Sequence, residues 1–254
     1  MKYLKRILQW VYAFLVLLTF VFSLIAAFPF FLLIGLNNNT KARKAIFFIV
    51  HNWAKVWLWL IGMPIHLRGL YPRGQKFVIV ANHISYLDTV NIYAAIPDYF
   101  RTLGKKEMAQ IPLFGFVYKQ LAILVDRSNQ ESRAKSMRLM WRQIRTECPI
   151  AIFPEGTFNE TNQPLKPFYD GAFRLAIHSQ TPILPLLFLD TKDRFHYSAW
   201  WKLKPGKNRA VLLPPVYVNG MTKDDIPALK EKVWLVMTEK MIALKERNVQ
   251  DKPS

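Results

Sequence analysis

The sequence predicts an α/β fold, a mixed sheet covered by helices, preceded by a membrane-associated two-helix segment. Three observations carry this. Residues 7–36 contain no charged side chain. Beyond residue 70, short apolar runs alternate with longer amphipathic stretches. Those runs are apolar throughout rather than at every second position, as in strands buried on both faces. The expected division is an anchor over residues 1–63 and a globular domain over residues 64–254.

The N-terminal run exceeds the ~20 residues that a helix needs to cross a bilayer. A cleavable signal peptide is the competing reading, because Lys2, Lys5 and Arg6 precede an apolar run with Ala26 and Ala27. Leu24 or Ile25 would then occupy the −3 position, where both are too large, and the apolar run continues past any such cut. A second apolar stretch, 46–63, carries His51 and Lys55 and so is a poor spanning helix, yet Trp53, Trp57 and Trp59 suit a headgroup boundary. Lys41, Arg43 and Lys44 balance the three cations before the first segment, which leaves orientation unset. A kink at Pro29 would return both ends to one face. The expectation is an anchor of two helices lying in one leaflet.

Strands are expected at 77–81, 122–125, 150–153, 183–189 and 210–218. Between the second and third, Ser128 and Glu131 read as a capping box. Met137, Met140, Trp141 and Ile144 then share one helical face, most simply a core face. A final helix is expected over 226–244.

Thirty-five Lys and Arg against seventeen Asp and Glu give a net charge of +18, which favours an anionic partner. No nucleic-acid motif appears, and the basic aromatic stretch at 194–209 reads as an interfacial surface. The single cysteine, Cys148, excludes an intramolecular disulfide and a Cys-rich zinc site.

Two stretches carry chemistry. In VIVANHISYLDTV (78–90), an apolar strand runs into Asn82 and His83, with Asp88 five residues after the histidine. Ser85 and Asp88 also have the S-x-x-D form of a helix start, so Asp88 is either a cap or the partner that orients the imidazole. In IAIFPEGTFNE (150–160), a strand runs into Glu155, Gly156 and Thr157. Glycine lets a ligand approach the backbone, and the Thr hydroxyl and loop amides can bind phosphate or an oxyanion.

Taken together, these stretches resemble the glycerolipid acyltransferases of the 1-acylglycerol-3-phosphate acyltransferase family. Asn82, His83 and Asp88 match its NHxxxxD motif, and residues 153–157 match its FPEGT(R) motif. VDR at 125–127 and TPILPL at 181–186 resemble its two other blocks, and the likeness covers roughly residues 65–220. Two departures stand out: Leu121, where relatives often have glycine, and Phe158, where arginine usually follows FPEGT.

The resemblance implies the glycerolipid acyltransferase fold, with residues 64–254 as the catalytic domain. It implies transfer of a fatty acyl group from a thioester to the free hydroxyl of lysophosphatidic acid, giving phosphatidic acid. His83 would be the general base and Asp88 its orienting partner. Asn82, Arg127, Glu155, Gly156 and Thr157 would bind the acceptor, with Lys105 and Lys166 as further candidates. No cofactor, metal or covalent intermediate is expected; acyl-CoA or acyl carrier protein is the co-substrate. Membrane lipids and lysophosphatidic acid are the other expected partners, at the cytoplasmic face of the cell membrane. Two alternatives stay open: another lysolipid acceptor, such as an amino-acid lysolipid, and a non-catalytic basic membrane-anchored binding protein.

Overall fold

The computed structural model describes residues 2–37 and 39–250. Helices α1 (Lys2–Gly35) and α2 (Thr40–Leu60) come first, and Asn39 caps α2 by accepting from the Ala42 N–H at 2.8 Å. The two helices are antiparallel. Tyr12 donates its hydroxyl to the Ile61 carbonyl at 2.5 Å, and the indoles of Trp57 and Trp53 donate to the hydroxyls of Thr19 and Ser23 at 3.2 and 3.0 Å. Chain reversal falls between Gly35 and Thr40, not at Pro29 as the sequence suggested: α1 runs through Pro29 to Gly35. One proline costs one i→i−4 hydrogen bond, which a long apolar helix tolerates.

Seven strands follow: β1 (Ile65–Arg68), β2 (Val78–Ala81), β3 (Arg101–Lys105), β4 (Ala122–Val125), β5 (Ile150–Ile152), β6 (Ile183–Phe188) and β7 (Asn208–Leu212). They form one sheet in the order β1-β7-β6-β2-β5-β3-β4. Strands β2 to β6 are mutually parallel, β7 is antiparallel to β6, and β1 is parallel to β7. Helices α3 (Leu87–Ala95), α4 (Phe114–Leu121), α5 (Gln130–Thr146), α6 (Gly171–Ser179), α7 (Thr191–Arg194) and α8 (Ile226–Gln250) complete the chain.

The central strands are apolar throughout because both faces are covered. On β2, Ile79 and Ala81 join a core with α2, α3 and α4, while Val78 and Val80 join a second core with α5, α6 and α8. Each of the valine and isoleucine side chains contributes about 1.5–3 kcal/mol when fully buried. Ile46, Phe47, Val50, Ala54 and Leu58 of α2 lie in the same core as the sheet. By contrast α1 exposes one long side, including Leu8, Phe14, Leu18, Phe22 and Leu33.

Three local expectations change. The strand expected over 210–218 ends at Leu212, because Pro214 and Pro215 have no N–H to continue a ladder; Val216 returns only as an isolated pair with Ile183. Asn129, not Ser128, caps α5, accepting from the Ser132 N–H at 2.9 Å, while Ser128 donates to Asp126. Strands β1 and β3 were not expected. β1 is an exposed edge, and β3 carries Arg101 and Lys105 at its two ends, so neither has an apolar run to announce it.

Candidate active site

Strand order explains why two motifs some 70 residues apart meet. β2 lies between β5 and β6, all three parallel, so the loops leaving their C-terminal ends gather at one sheet edge. Open α/β sheets build ligand sites at such edges.

His83 is the second residue past β2. Its Nδ1 lies 2.9 Å from Asp88 Oδ2, and Asp88 is fully buried. The same Oδ2 accepts from the backbone N–H groups of Ile84 and Ser85 at 2.6 and 2.8 Å. Oδ1 accepts from the Thr191 hydroxyl at 2.5 Å, at the start of α7 just past β6. The two readings of Asp88 are therefore one arrangement: the carboxylate satisfies the amides of the helix entry and contacts the imidazole with the same oxygen. An ionised carboxylate only accepts, so Nδ1 carries the ring proton and the Nε2 lone pair is free for a substrate proton. Ser85 fastens the far side, donating its hydroxyl to the Phe195 carbonyl at 2.6 Å.

The second loop closes over the first. Buried Glu155 accepts from the His83 N–H through Oε1 at 2.8 Å and from the Lys166 N–H through Oε2 at 2.9 Å. Burial, with the Asp88 charge adding to it, pushes the Glu155 carboxyl up to about 7 against the pull of those two amides. Asn159 N–H donates to the His83 carbonyl at 2.7 Å, so both backbone groups of the histidine are held from this loop. Gly156 sits at φ +75°, and a Cβ there would meet the Tyr169 ring at 2.6 Å, so the turn requires glycine. The Lys166 ammonium donates to the Thr157 hydroxyl at 2.7 Å.

Aromatic rings frame the imidazole. Phe153 stacks on it at 4.3 Å and Phe158 meets it at 4.4 Å, and Phe158 also contacts Tyr86 at 4.6 Å. Tyr86, Phe195 and Tyr197 continue into an apolar cavity of about 680 Å³ between α1, α2, α3 and α4. Leu17, Phe20 and Val117 belong to its wall.

The structure thus brings His83, Asp88, Glu155, Gly156, Thr157 and Lys166 together. Asn82 stands behind them, fully buried, with its amide accepting from and donating to the Phe188 backbone at 2.7 and 3.0 Å. Lys105 and Arg127 are exposed at the same edge but at the ends of β3 and β4, two and three strands from β2. Between them, Lys106 pairs with Asp126. Sequence reading missed Thr191 and the ring contacts of Phe153 and Phe158 with His83. Thr191 carried no local signal beyond its place just after a predicted strand. Among the described residues, no three His, Cys, Asp or Glu side chains group as a metal site.

Fold and site together define an α/β protein of the acyltransferase class, and residues 64–189 match the Acyltransferase family. The chain is 31% identical over 179 residues to mouse 1-acyl-sn-glycerol-3-phosphate acyltransferase alpha, covering 69% of this chain and 62% of that protein. It is 30% identical over 204 residues to the 1-acyl-sn-glycerol-3-phosphate acyltransferase of Haemophilus influenzae, covering 78% and 82%. The crystal structure of the 1-acyl-sn-glycerophosphate acyltransferase PlsC from Thermotoga maritima superposes over the whole of both chains, with a TM-score of 0.77 at 21% identity. This chain belongs to the 1-acyl-sn-glycerol-3-phosphate acyltransferase family. It spans less than two thirds of the length of the mammalian relatives it matches.

Proposed function

We propose that the chain transfers a fatty acyl group from an acyl thioester to the free hydroxyl of 1-acylglycerol-3-phosphate, giving phosphatidic acid. The observation that carries this reading is an imidazole with a free Nε2, oriented by a buried carboxylate, beside an apolar cavity of chain-binding size. His83 Nε2 takes the hydroxyl proton as the oxygen attacks the thioester carbonyl. The tetrahedral adduct expels the thiolate, and the imidazolium returns the proton to it. One ester and one thiol result, and the enzyme ends unchanged. Asp88 stabilises the transient imidazolium.

Site roles follow from exposure. Thr157, Lys166 and Arg127 present polar groups at the sheet edge and are assigned to the acceptor phosphate. Glu155 and Asn82 are assigned to holding the loops, since both are buried with their polar atoms bonded to backbone groups. Residues 2–63 are assigned to the membrane. α1 is held to the rest of the chain along its length, Trp10 stacking on Trp201 at 4.8 Å and Phe28 meeting Phe116 at 5.8 Å. Only its outer side is open to lipid, which supports a helix lying in one leaflet; the cytoplasmic face is assigned with it on the family resemblance alone. Phe158, an apolar ring where relatives place a cation, favours a second reading in which the acceptor is a less anionic lysolipid.

The test is reconstitution of the full chain in vesicles with labelled acyl-CoA and acyl carrier protein thioesters. Labelled phosphatidic acid from lysophosphatidic acid is expected. Acylation of an amino-acid lysolipid alone selects the second reading, and no transfer to any lysolipid rejects both.

A further inference from the structure

We infer that the outward face of α5 is a docking surface for an acidic carrier protein that delivers the acyl thioester. This rests on the acyl-transfer reading above and adds the surface on which the carrier docks. α5 exposes Arg133, Lys135, Arg138, Arg142 and Arg145 against one exposed acid, Glu131. The acid at its far end, Glu147, is already bonded to Arg43 and Tyr99. The spacing of 135, 138, 142 and 145 aligns four cations in one stripe, where like charges three and four residues apart oppose helix formation unless a partner neutralises them. Among the described residues, no carboxylate pairs with any of these four. The other long solvent-facing helix, α8, differs: Lys230, Lys232, Lys240 and Lys245 alternate with Glu231, Glu239 and Glu246.

Placement favours a protein over a bilayer. α5 packs into the core on the opposite side of the sheet from α2, α3 and α4, the layer that carries α1. Its one exposed large hydrophobic side chain is Leu139, so it has no apolar face to insert. The stripe also exceeds a small phosphate ligand. Ten residues of helix separate Lys135 from Arg145, about 15 Å, a length that complements an acidic helix rather than one nucleotide. α5 begins five residues after β4, at the sheet edge where His83 lies, so the Lys135 end of the stripe is the end nearest the site.

The test reverses two exposed charges, Arg138→Glu with Arg142→Glu, in the full-length protein reconstituted in vesicles. A control, Lys240→Glu with Lys245→Glu, makes the same charge change on α8. The first variant is expected to raise KM for the acyl carrier protein thioester about tenfold, more at low salt, with acyl-CoA kinetics within about twofold of wild type. The control should leave both donors unchanged. Equal loss with both donors, no loss with the carrier, or no turnover of a carrier thioester by wild type overturns the inference while acyl-CoA transfer still stands. Weaker vesicle binding with unchanged carrier kinetics assigns the face to lipid and also overturns it. Absence of transfer from either donor removes the functional reading and the inference with it.

Discussion

Thr191 donates its hydroxyl to Asp88 from 103 residues away in sequence, at 2.5 Å, in a pocket closed to solvent on both sides. A hydrogen bond to a buried carboxylate is worth about 1.5–3 kcal/mol. Thr191→Val should therefore lower stability by that order and let the carboxylate turn, with kcat falling roughly tenfold. Thr191→Ser, which keeps the hydroxyl, should restore most of both; urea unfolding and steady-state kinetics on the pair separate a lost hydrogen bond from lost packing.

His83→Ala should reduce kcat on the order of 10²-fold or more with the fold intact, the typical size of general-base catalysis. Asp88→Asn should reduce both kcat and Tm, because the carboxylate serves the imidazole and two backbone amides at once. A normal rate in His83→Ala would end the general-base assignment.

Glu155 gives a pH dependence with a definite sign. Its folded-state carboxyl lies at about 7, above the 4.5 of an ordinary glutamate, so the native state holds the extra proton between those values. Stability from this group is full at low pH, falls as pH rises from about 4.5 to 7, and is level above that. The size is about 3 kcal/mol. In Glu155→Gln the fall should vanish, leaving a lower but flatter curve, since the amide NH₂ now faces a backbone N–H. Parallel denaturation series at pH 5 and pH 8 measure the difference, and identical slopes for the two proteins would contradict it.

At the acceptor end, Arg127→Ala should raise KM for lysophosphatidic acid about ten- to a hundredfold and affect the acyl donor little, as for one charge-assisted contact. Phe158→Arg should bind the phosphate better but turn over more slowly, because Phe158 packs on the His83 ring that must be held in place. Unchanged lysophosphatidic acid kinetics in Arg127→Ala, with neutral lysolipids acylated as well, would point to the other acceptor class.

Deleting residues 1–63 should leave a chain that does not fold. The cut removes six buried apolar residues of α2, Ile46, Phe47, Val50, Ala54, Trp57 and Leu58, from the core beneath the sheet. At 2–5 kcal/mol for each large side chain, the loss approaches the 5–15 kcal/mol that holds a whole domain. Circular dichroism of the truncated protein in detergent decides this, and a native spectrum with a cooperative melt would refute it.

Much of this site was legible because its two key loops are short and local. His83 and Asp88 are five residues apart, so a strand followed by a polar loop and a helix start placed them together. The meeting of that loop with Glu155 was not legible, since it depends on β5 inserting beside β2 rather than in chain order. Thr191 was invisible for the same reason: its partner comes from β2 and its position from β6. Strands 122–125, 150–152 and 183–188 announced themselves by double-sided burial, whereas β1, an exposed edge, had no apolar run to read. For α2, its tryptophans and lysine pointed to an interface, and only packing revealed how much of it lies under the sheet.

The apolar cavity is walled by α1 and α2, and α1 turns its other side to solvent-exposed leucines and phenylalanines. On the proposed reading, with the outer side of α1 in lipid, a tail that reaches this cavity directly from the acyl layer keeps its methylenes out of water, at ~0.8 kcal/mol saved for each one. The quantity that governs turnover is then the mole fraction of lysolipid in the surface, not its bulk molarity. Diluting the acceptor with inert phospholipid should slow the enzyme at constant total lysolipid, as surface-dilution kinetics require.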